Sequence, residues 1–318
     1  MLTGGAGYIG AHVIVALQRA GHEVVVLDDL STGERDRVPA GVPLVEASVL
    51  DGDAVRRALR DHEVSGVVHL AAKKAVGESV AEPLLYYREN VEGFRVLLDA
   101  MLATGTDRMV FSSSCATYGS PDVDVITEET PQHPINPYGE TKLVCEWMLR
   151  DVARATGLSW ASLRYFNVAG AGAPELGDTG VHNLIPLVFR ALDRGEAPRV
   201  FGGDYPTPDG TCIRDYIHVA DLADAHVAAA DRLEAGGAGA AYNVGRGEGA
   251  SVKEVVAVVA EVTGRDVTPD VVDRRPGDPP RLVADPTGAQ RDLGWRASRD
   301  LRDMVASAWE AWQARPRG

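Results

Sequence analysis

Residues 3–10 read TGGAGYIG and set glycines at every third place, Gly4, Gly7 and Gly10. A turn of this spacing suits a pyrophosphate: it leaves a buried strand, lets the backbone approach the ligand, and opens a helix whose free N–H groups face the anion. The next residues, AHVIVALQRAG, form the expected helix, and the run EVVVL (23–27) then ends in Asp28, eighteen residues after Gly10. A carboxylate there accepts hydrogen bonds from the ribose hydroxyls of NAD and repels a 2′-phosphate, so NAD is expected rather than NADP.

Working outward, short apolar runs alternate with helical stretches. EVVVL (23–27), PLVEAS (43–48), GVVHLA (66–71), RMVFSSS (108–114) and ASLRYFNV (161–168) are predicted strands. Amphipathic segments near 9–20, 51–62, 88–103 and 139–156 lie between them. Strands apolar nearly throughout, alternating with helices, predict an α/β fold with a doubly wound parallel Rossmann sheet. After about residue 170 the rhythm gives way to Gly- and Pro-rich stretches such as GAGAPELGD and GGDYPTPDG. The expected division is a NAD-binding domain over 1–170 and a smaller C-terminal α/β substrate lobe over 171–318, with segments of the latter returning to the sheet.

Bulk properties narrow the function. The chain has 318 residues, 45% of them hydrophobic and 25% charged, enough for a full core without staples. A formal net charge of −14 argues against nucleic acid. No apolar stretch nears the ~20 residues of a membrane span, so no membrane partner is expected and the location is read as cytoplasmic. Cys115, Cys145 and Cys212 lie far apart, without metal-ligand spacing, and neither a disulfide nor a metal is expected.

SSSCATYG (112–119) and PYGETK (137–142) carry the chemistry. Tyr138 and Lys142, four apart at a helix start, share one face. A free tyrosine has a pKa of ~10; the lysine ammonium and the positive nicotinamide of NAD are expected to lower it, making Tyr138 a general base toward an alcohol. Ser114, at the carboxyl end of the fifth strand, is placed to hold the same hydroxyl.

Together, TGGAGYIGAH, HLAAKKAVGES, SSSCATYG, PYGETK, LRYFNVAGA, DYPTPDGTCIRDYIHVADLADAH and RRPGDP closely resemble the UDP-glucose 4-epimerases of the extended short-chain dehydrogenase/reductase superfamily, along nearly the whole chain. The resemblance implies that Tyr138 takes the proton of the sugar's 4-hydroxyl while its C4 hydride passes to NAD, after which the 4-keto sugar turns over and regains the hydride on its other face. It implies Ser114, Tyr138 and Lys142 as catalytic residues. At the cofactor it implies Gly4, Gly7, Tyr8, Ile9, Gly10, Asp28, Asp29, Ser48, Val49, Leu70, Ala71, Ala72, Lys74, Asn90 and Phe166, besides Tyr138 and Lys142. For the UDP-sugar it implies Asn167, Asn183, Leu184, Val200, Phe201, Arg214, Arg275, Asp278 and Leu282, with Lys74, Ser114 and Tyr138. Arg214 and Arg275 are the candidates for the diphosphate, since guanidinium forks match phosphate oxygens. A homodimer is also implied.

Several positions depart from the family pattern. Ser48 stands where an acidic residue often meets adenine, Glu89 precedes Asn90 where two asparagines are frequent, and Cys115-Ala116 follows Ser114 in place of Ala-Thr. Leu282 takes the place of a bulky tyrosine, which leaves the expectation of room for an N-acetyl group on the sugar. Relatives carry several apolar residues ahead of TGG, so the native protein is expected to be a few residues longer than a chain with Met1, Leu2 and Thr3 there. Three rivals remain: a dehydratase or decarboxylase would need an acid among Ser114, Cys115, Ala116 and Thr117; a uronate epimerase would need extra positive charge; and a NAD-sensing binding protein could dispense with Tyr138 and Lys142.

Overall fold

The computed structural model describes residues 1–315 apart from His182, Pro276 and Gly277. Its first half runs β1 (Leu2–Thr3), α1 (Tyr8–Arg19), β2 (Val26–Asp28), β3 (Leu44–Glu46), α2 (Gly52–Asp61), β4 (Val67–His69), α3 (Val76–Ala81) and α4 (Pro83–Tyr86). A π-helical turn, Tyr87–Glu92, joins α4 to α5 (Gly93–Thr104); β5 (Arg108–Ser112), α6 (Pro137–Thr156) and β6 (Ser159–Tyr165) follow. The second half contains β7 (Asn167–Ala169), α7 (Leu184–Arg194), β8 (Arg199–Phe201), β9 (Ile213–His218), α8 (Val219–Glu234) and β10 (Ala240–Val244). The last elements are β11 (Gly249–Ser251), α9 (Val252–Thr263), β12 (Asp270–Val272), β13 (Arg281–Leu282), α10 (Thr287–Leu293) and α11 (Leu301–Ala314).

Seven strands form one sheet in the order β10-β6-β5-β4-β1-β2-β3, parallel in every pairing. Parallel strands covered on both faces must be apolar throughout, and two core clusters flank the sheet. One gathers Ile14, Leu163, Leu222 and Trp295 around α1 and α8; the other gathers Leu59, Phe94, Met101 and Leu149 around α2, α5 and α6. The doubly wound sheet is the expected one.

Two features differ from the sequence reading. ASLRYFNV is not one strand: β6 ends at Tyr165, the buried Phe166 turns out of the sheet, and β7 pairs with β9 in a separate sheet with β11 and β13. The seventh central strand, β10, comes from residues 240–244, after the Gly-rich loop at 236–239.

Candidate active site

All central strands point the same way, so the residues at their carboxyl ends share one edge of the sheet, where ligands bind in such folds. The glycine turn lies there. Gly4 has φ +74°, and a Cβ on it would sit 2.6 Å from the Ala71 nitrogen, so only glycine fits. At Gly10 a Cβ would drive into the Gly4 carbonyl oxygen. Gly7 is different: a Cβ would meet only the Gly4 oxygen, at 3.3 Å. It caps α1 without any side-chain hydrogen bond and leaves the first-turn N–H groups unsatisfied by a cap, as an anion site requires. Asp28 fixes the turn, its carboxylate accepting from the N–H of Ala6 and of Leu30, both at 2.9 Å; burial lifts its pKa. These features fit a dinucleotide.

Around this turn the other expected cofactor residues are spread over neighbouring strand ends. Tyr8 and Ile9 open α1, and the Tyr8 hydroxyl donates to the Gly170 carbonyl at 2.6 Å. Asp29 is exposed and accepts from Ser31 N–H, whereas Ser48 accepts from Leu50 N–H. Val49 is buried in the cluster around α2, α5 and α6, whereas Leu70, just after β4, packs against the cluster around α1 and α8. Ala71 N–H reaches the Thr3 hydroxyl at 3.4 Å, Ala72 is half-buried and Lys74 is exposed. Asn90, in the π turn, ties the segment down: its amide bonds to both the N–H and the C=O of Lys73 and to the Thr141 hydroxyl.

Helix α6 begins with Pro137 in the first turn and Asn136 as a cap accepting from Gly139 N–H. This start presents Tyr138 and Lys142, both buried, toward the carboxyl end of β5. The Lys142 ammonium donates to the Ser112 carbonyl at 2.7 Å and lies 5.0 Å from the Phe111 ring centre. Burial pushes its pKa down to about 8. Ser114 accepts from Ala116 N–H, and its hydroxyl also favours the ionised form of Tyr138.

The expected lowering of Tyr138 is not found in the protein alone. Burial pushes the phenol well above its ordinary value, with Tyr165 adding to the rise and Ser114 opposing it. Desolvation disfavours the charged form of both groups, and at Tyr138 it outweighs the opposing hydrogen bond of Ser114.

Sequence reasoning missed Tyr165, whose hydroxyl lies 2.5 Å from that of Ser112, the residue holding Lys142. It also missed Glu146, although the spacing Tyr138, Lys142, Glu146 continues one stripe of α6. That carboxylate accepts from Ser113, beside Ser114, at 2.5 Å, and from Arg164 at 2.6 Å.

The proton inventory of Lys142 gives a measurable sign. Folded, it titrates near 8, whereas unfolded it returns to ~10.4. Between these values the unfolded chain binds more protons, so stability rises with pH there; below about 8 the full cost of the buried ammonium is present. Lys142→Met in cofactor-free protein is therefore expected to gain melting temperature relative to the parent at pH 7, the gain shrinking by pH 10. An advantage independent of pH would contradict this.

The expected sugar-nucleotide residues fall in two groups. Asn167, Asn183 and Leu184 meet Tyr8 and Tyr216 around a small cavity of about 30 Å³. The second group lies along β8, β9 and β13. Arg214 is paired with Asp278 at 2.7 Å, and the exposed Arg275 guanidinium stacks 3.8 Å from the centre of the Phe201 ring. Val200, beside Phe201 on β8, is buried. Leu282 is buried in a wall with Phe166, Tyr118, Ile126 and Ala284, against which Cys115 packs.

Known proteins match this chain along most of its length. Residues 1–245 match the NAD dependent epimerase/dehydratase family, and the chain belongs to that family. Among its members the UDP-glucose 4-epimerase of Azospirillum brasilense is 49% identical over 319 residues, covering 98% of this chain and 91% of the relative. A crystal structure of UDP-glucose 4-epimerase from Brucella ovis in complex with NAD superposes with a TM-score of 0.93 at 45% identity, covering 96% of each chain. The Stenotrophomonas maltophilia UDP-glucose-4-epimerase, with bound NAD and formylated UDP-arabinopyranose, gives 0.94 at 40% identity, covering 98% of this chain and 97% of that one.

Proposed function

We propose that this enzyme interconverts UDP-galactose and UDP-glucose through a 4-keto sugar. The observation that carries the reading is the buried Tyr138 and Lys142 on one face of α6, beside Ser114 at the strand edge that also bears the glycine turn. NAD, when bound, would supply the acceptor and then the donor of the hydride. Tyr138 takes the 4-hydroxyl proton as C4 gives up its hydride, and returns it after the ketone has turned, so nothing is consumed. Ser114 holds the reacting oxygen. Lys142, anchored on the Ser112 carbonyl, would stabilise the phenolate, and the positive charge of bound NAD would add to that effect. Arg214 and Arg275 grip the diphosphate, and the wall around Leu282 bounds the space in which the sugar turns.

No carboxylate stands among residues 114–117, which favours epimerisation over a dehydratase reaction. Incubation with UDP-galactose and no added NAD, followed by chromatography, is expected to yield UDP-glucose. No product with a NAD-saturated enzyme would overturn the reading. UDP-N-acetylglucosamine, offered in parallel, reports whether Leu282 leaves room for an N-acetyl group.

The same reading takes residues 1–170 as the cofactor unit and 171–318 as the substrate lobe, with α8 and β10 packed into the former. A cytoplasmic setting fits the three free thiols. A homodimer fits the exposed apolar side chains on neighbouring helices, Val80 and Leu84 before the π turn, Tyr87 within it and Trp147 on α6, with Leu84 82% exposed. Leu84→Asp is expected to shift the sedimentation coefficient from dimer to monomer; an unchanged dimer would place the interface elsewhere.

A further inference from the structure

Beside the glycine turn, residues 170–179 run from the end of β7 toward Asn183, with a single 3₁₀ turn at Pro174–Leu176. The segment has little regular structure of its own and is held by three other parts of the chain. On one flank is the start of α1: the Tyr8 hydroxyl donates to the Gly170 carbonyl at 2.6 Å, and His12 Nε2 accepts from Gly172 N–H at 2.8 Å. On the other flank is the loop after β2, which itself rests on the glycine turn, Glu34 N–H donating to the Ala6 carbonyl at 2.9 Å. From that loop the buried Arg37 donates through Nη2 to the Gly177 carbonyl at 2.7 Å and to the Thr179 hydroxyl at 3.1 Å. Thr179 in turn donates to the Glu34 carboxylate at 2.7 Å. Behind the segment, Ala171 N–H donates to the Ser307 hydroxyl of α11 at 3.2 Å.

His12 is committed to this contact. Its Nδ1 lies 2.8 Å from the Tyr8 carbonyl, which can only accept, so Nδ1 carries the proton and Nε2 offers its lone pair to Gly172. Burial lowers the pKa of the ring and keeps it neutral, as an acceptor must be. A Cβ at position 172 would come within 2.8 Å of His12 Cδ2, so only a glycine lets the chain pass this close.

The two flanks belong to the same cofactor site. Tyr8 opens the helix whose free N–H groups suit the pyrophosphate, and the loop that ends in Arg37 begins at Asp28, the carboxylate expected at the ribose. We propose that residues 170–179 form a strap closing the dinucleotide site, and that His12 and Arg37 are positioning residues that hold it shut, so that NAD stays bound from one turnover to the next. Release of NAD then requires the strap to part from a flank, a local opening whose frequency these hydrogen bonds set. Resting on NAD binding by this family, the role is independent of which sugar turns over.

The test is exchange of bound NAD against excess isotope-labelled NAD, followed by mass spectrometry with no sugar nucleotide present, so that its failure is distinct from failure of the epimerase reading. Arg37→Met and His12→Leu are expected to exchange at least about tenfold faster than the parent, each leaving a strap group without its partner. His12→Gln, whose amide oxygen can still accept from Gly172 N–H, is expected to stay within about threefold of the parent. Thr179→Val alters an exposed side chain and keeps the fold; it should exchange NAD faster than the parent at an unchanged melting temperature. Across the series, hydrogen exchange at the Gly172 amide should quicken together with NAD exchange, as one opening serves both. Parental NAD exchange in Thr179→Val and in folded Arg37→Met would overturn the proposal. So would a His12→Gln chain no better than His12→Leu, or variants that lose melting temperature without losing NAD faster.

Discussion

Tyr138→Phe is expected to lower UDP-galactose turnover by roughly 10² to 10⁴-fold, the range removal of a general base usually spans, while the purified protein retains NAD. The substitution deletes one oxygen from a residue that is 9% exposed and leaves the ring's packing intact. The elements proposed to hold the cofactor, the turn from Gly4 to Gly10 and the carboxylate of Asp28, lie in other parts of the chain than α6. Binding and chemistry should therefore separate: rate lost, NAD kept. Burial, with Tyr165 adding to it, holds the Tyr138 phenol above its ordinary pKa, so a functioning base is expected to depend on charge brought by the cofactor. The pKa of Tyr138, read by ultraviolet titration of the phenolate, is expected to fall on NAD binding. A variant retaining a substantial fraction of parental activity would show that another group takes the proton.

Much of this arrangement is legible in the sequence, for identifiable reasons. Strands buried on both faces must be continuously apolar: GVVHLA and RMVFSSS contain β4 and β5, EVVVL overlaps β2, which begins at Val26 and ends one residue later at Asp28, and PLVEAS contains the edge strand β3. The Tyr138/Lys142 pair is legible because helical spacing alone puts both on one face. β10 escapes because it is an edge strand of mixed composition, AAYNV, paired on one side only, with β6. The turn-out at Phe166 escapes because a buried aromatic looks the same inside a strand as beyond its end. Tyr165 on Ser112 and Glu146 on Arg164 are pairings across different elements, and no local pattern encodes them.

Arg164→Met is expected to destabilise the protein by about 3–5 kcal/mol, as loss of one partner from a buried ion pair does. The Arg164 guanidinium meets the Glu146 carboxylate with two nitrogens, Nε at 2.9 Å and Nη2 at 2.6 Å, and neither side chain is more than 8% exposed. Its remaining nitrogen donates to the Tyr118 hydroxyl at 2.8 Å, which in turn donates to the Asn243 side chain on β10. Without Arg164 the carboxylate stays buried, with Ser113 and Gln132 as its side-chain donors among the described residues. Removing both charges, in Glu146→Met with Arg164→Met, abolishes that uncompensated burial and should recover a large part of the loss, measured by urea unfolding. The double variant will differ from the parent in catalysis, however. Glu146 sits one turn beyond Lys142 and holds Ser113, so its loss frees the segment that presents Ser114. The rate per folded enzyme should fall even where stability returns, and Glu146→Gln, which keeps an acceptor for Ser113, should lose less. Additive losses in the two single variants, with no recovery in the double, would show that the pair acts through packing rather than through charge.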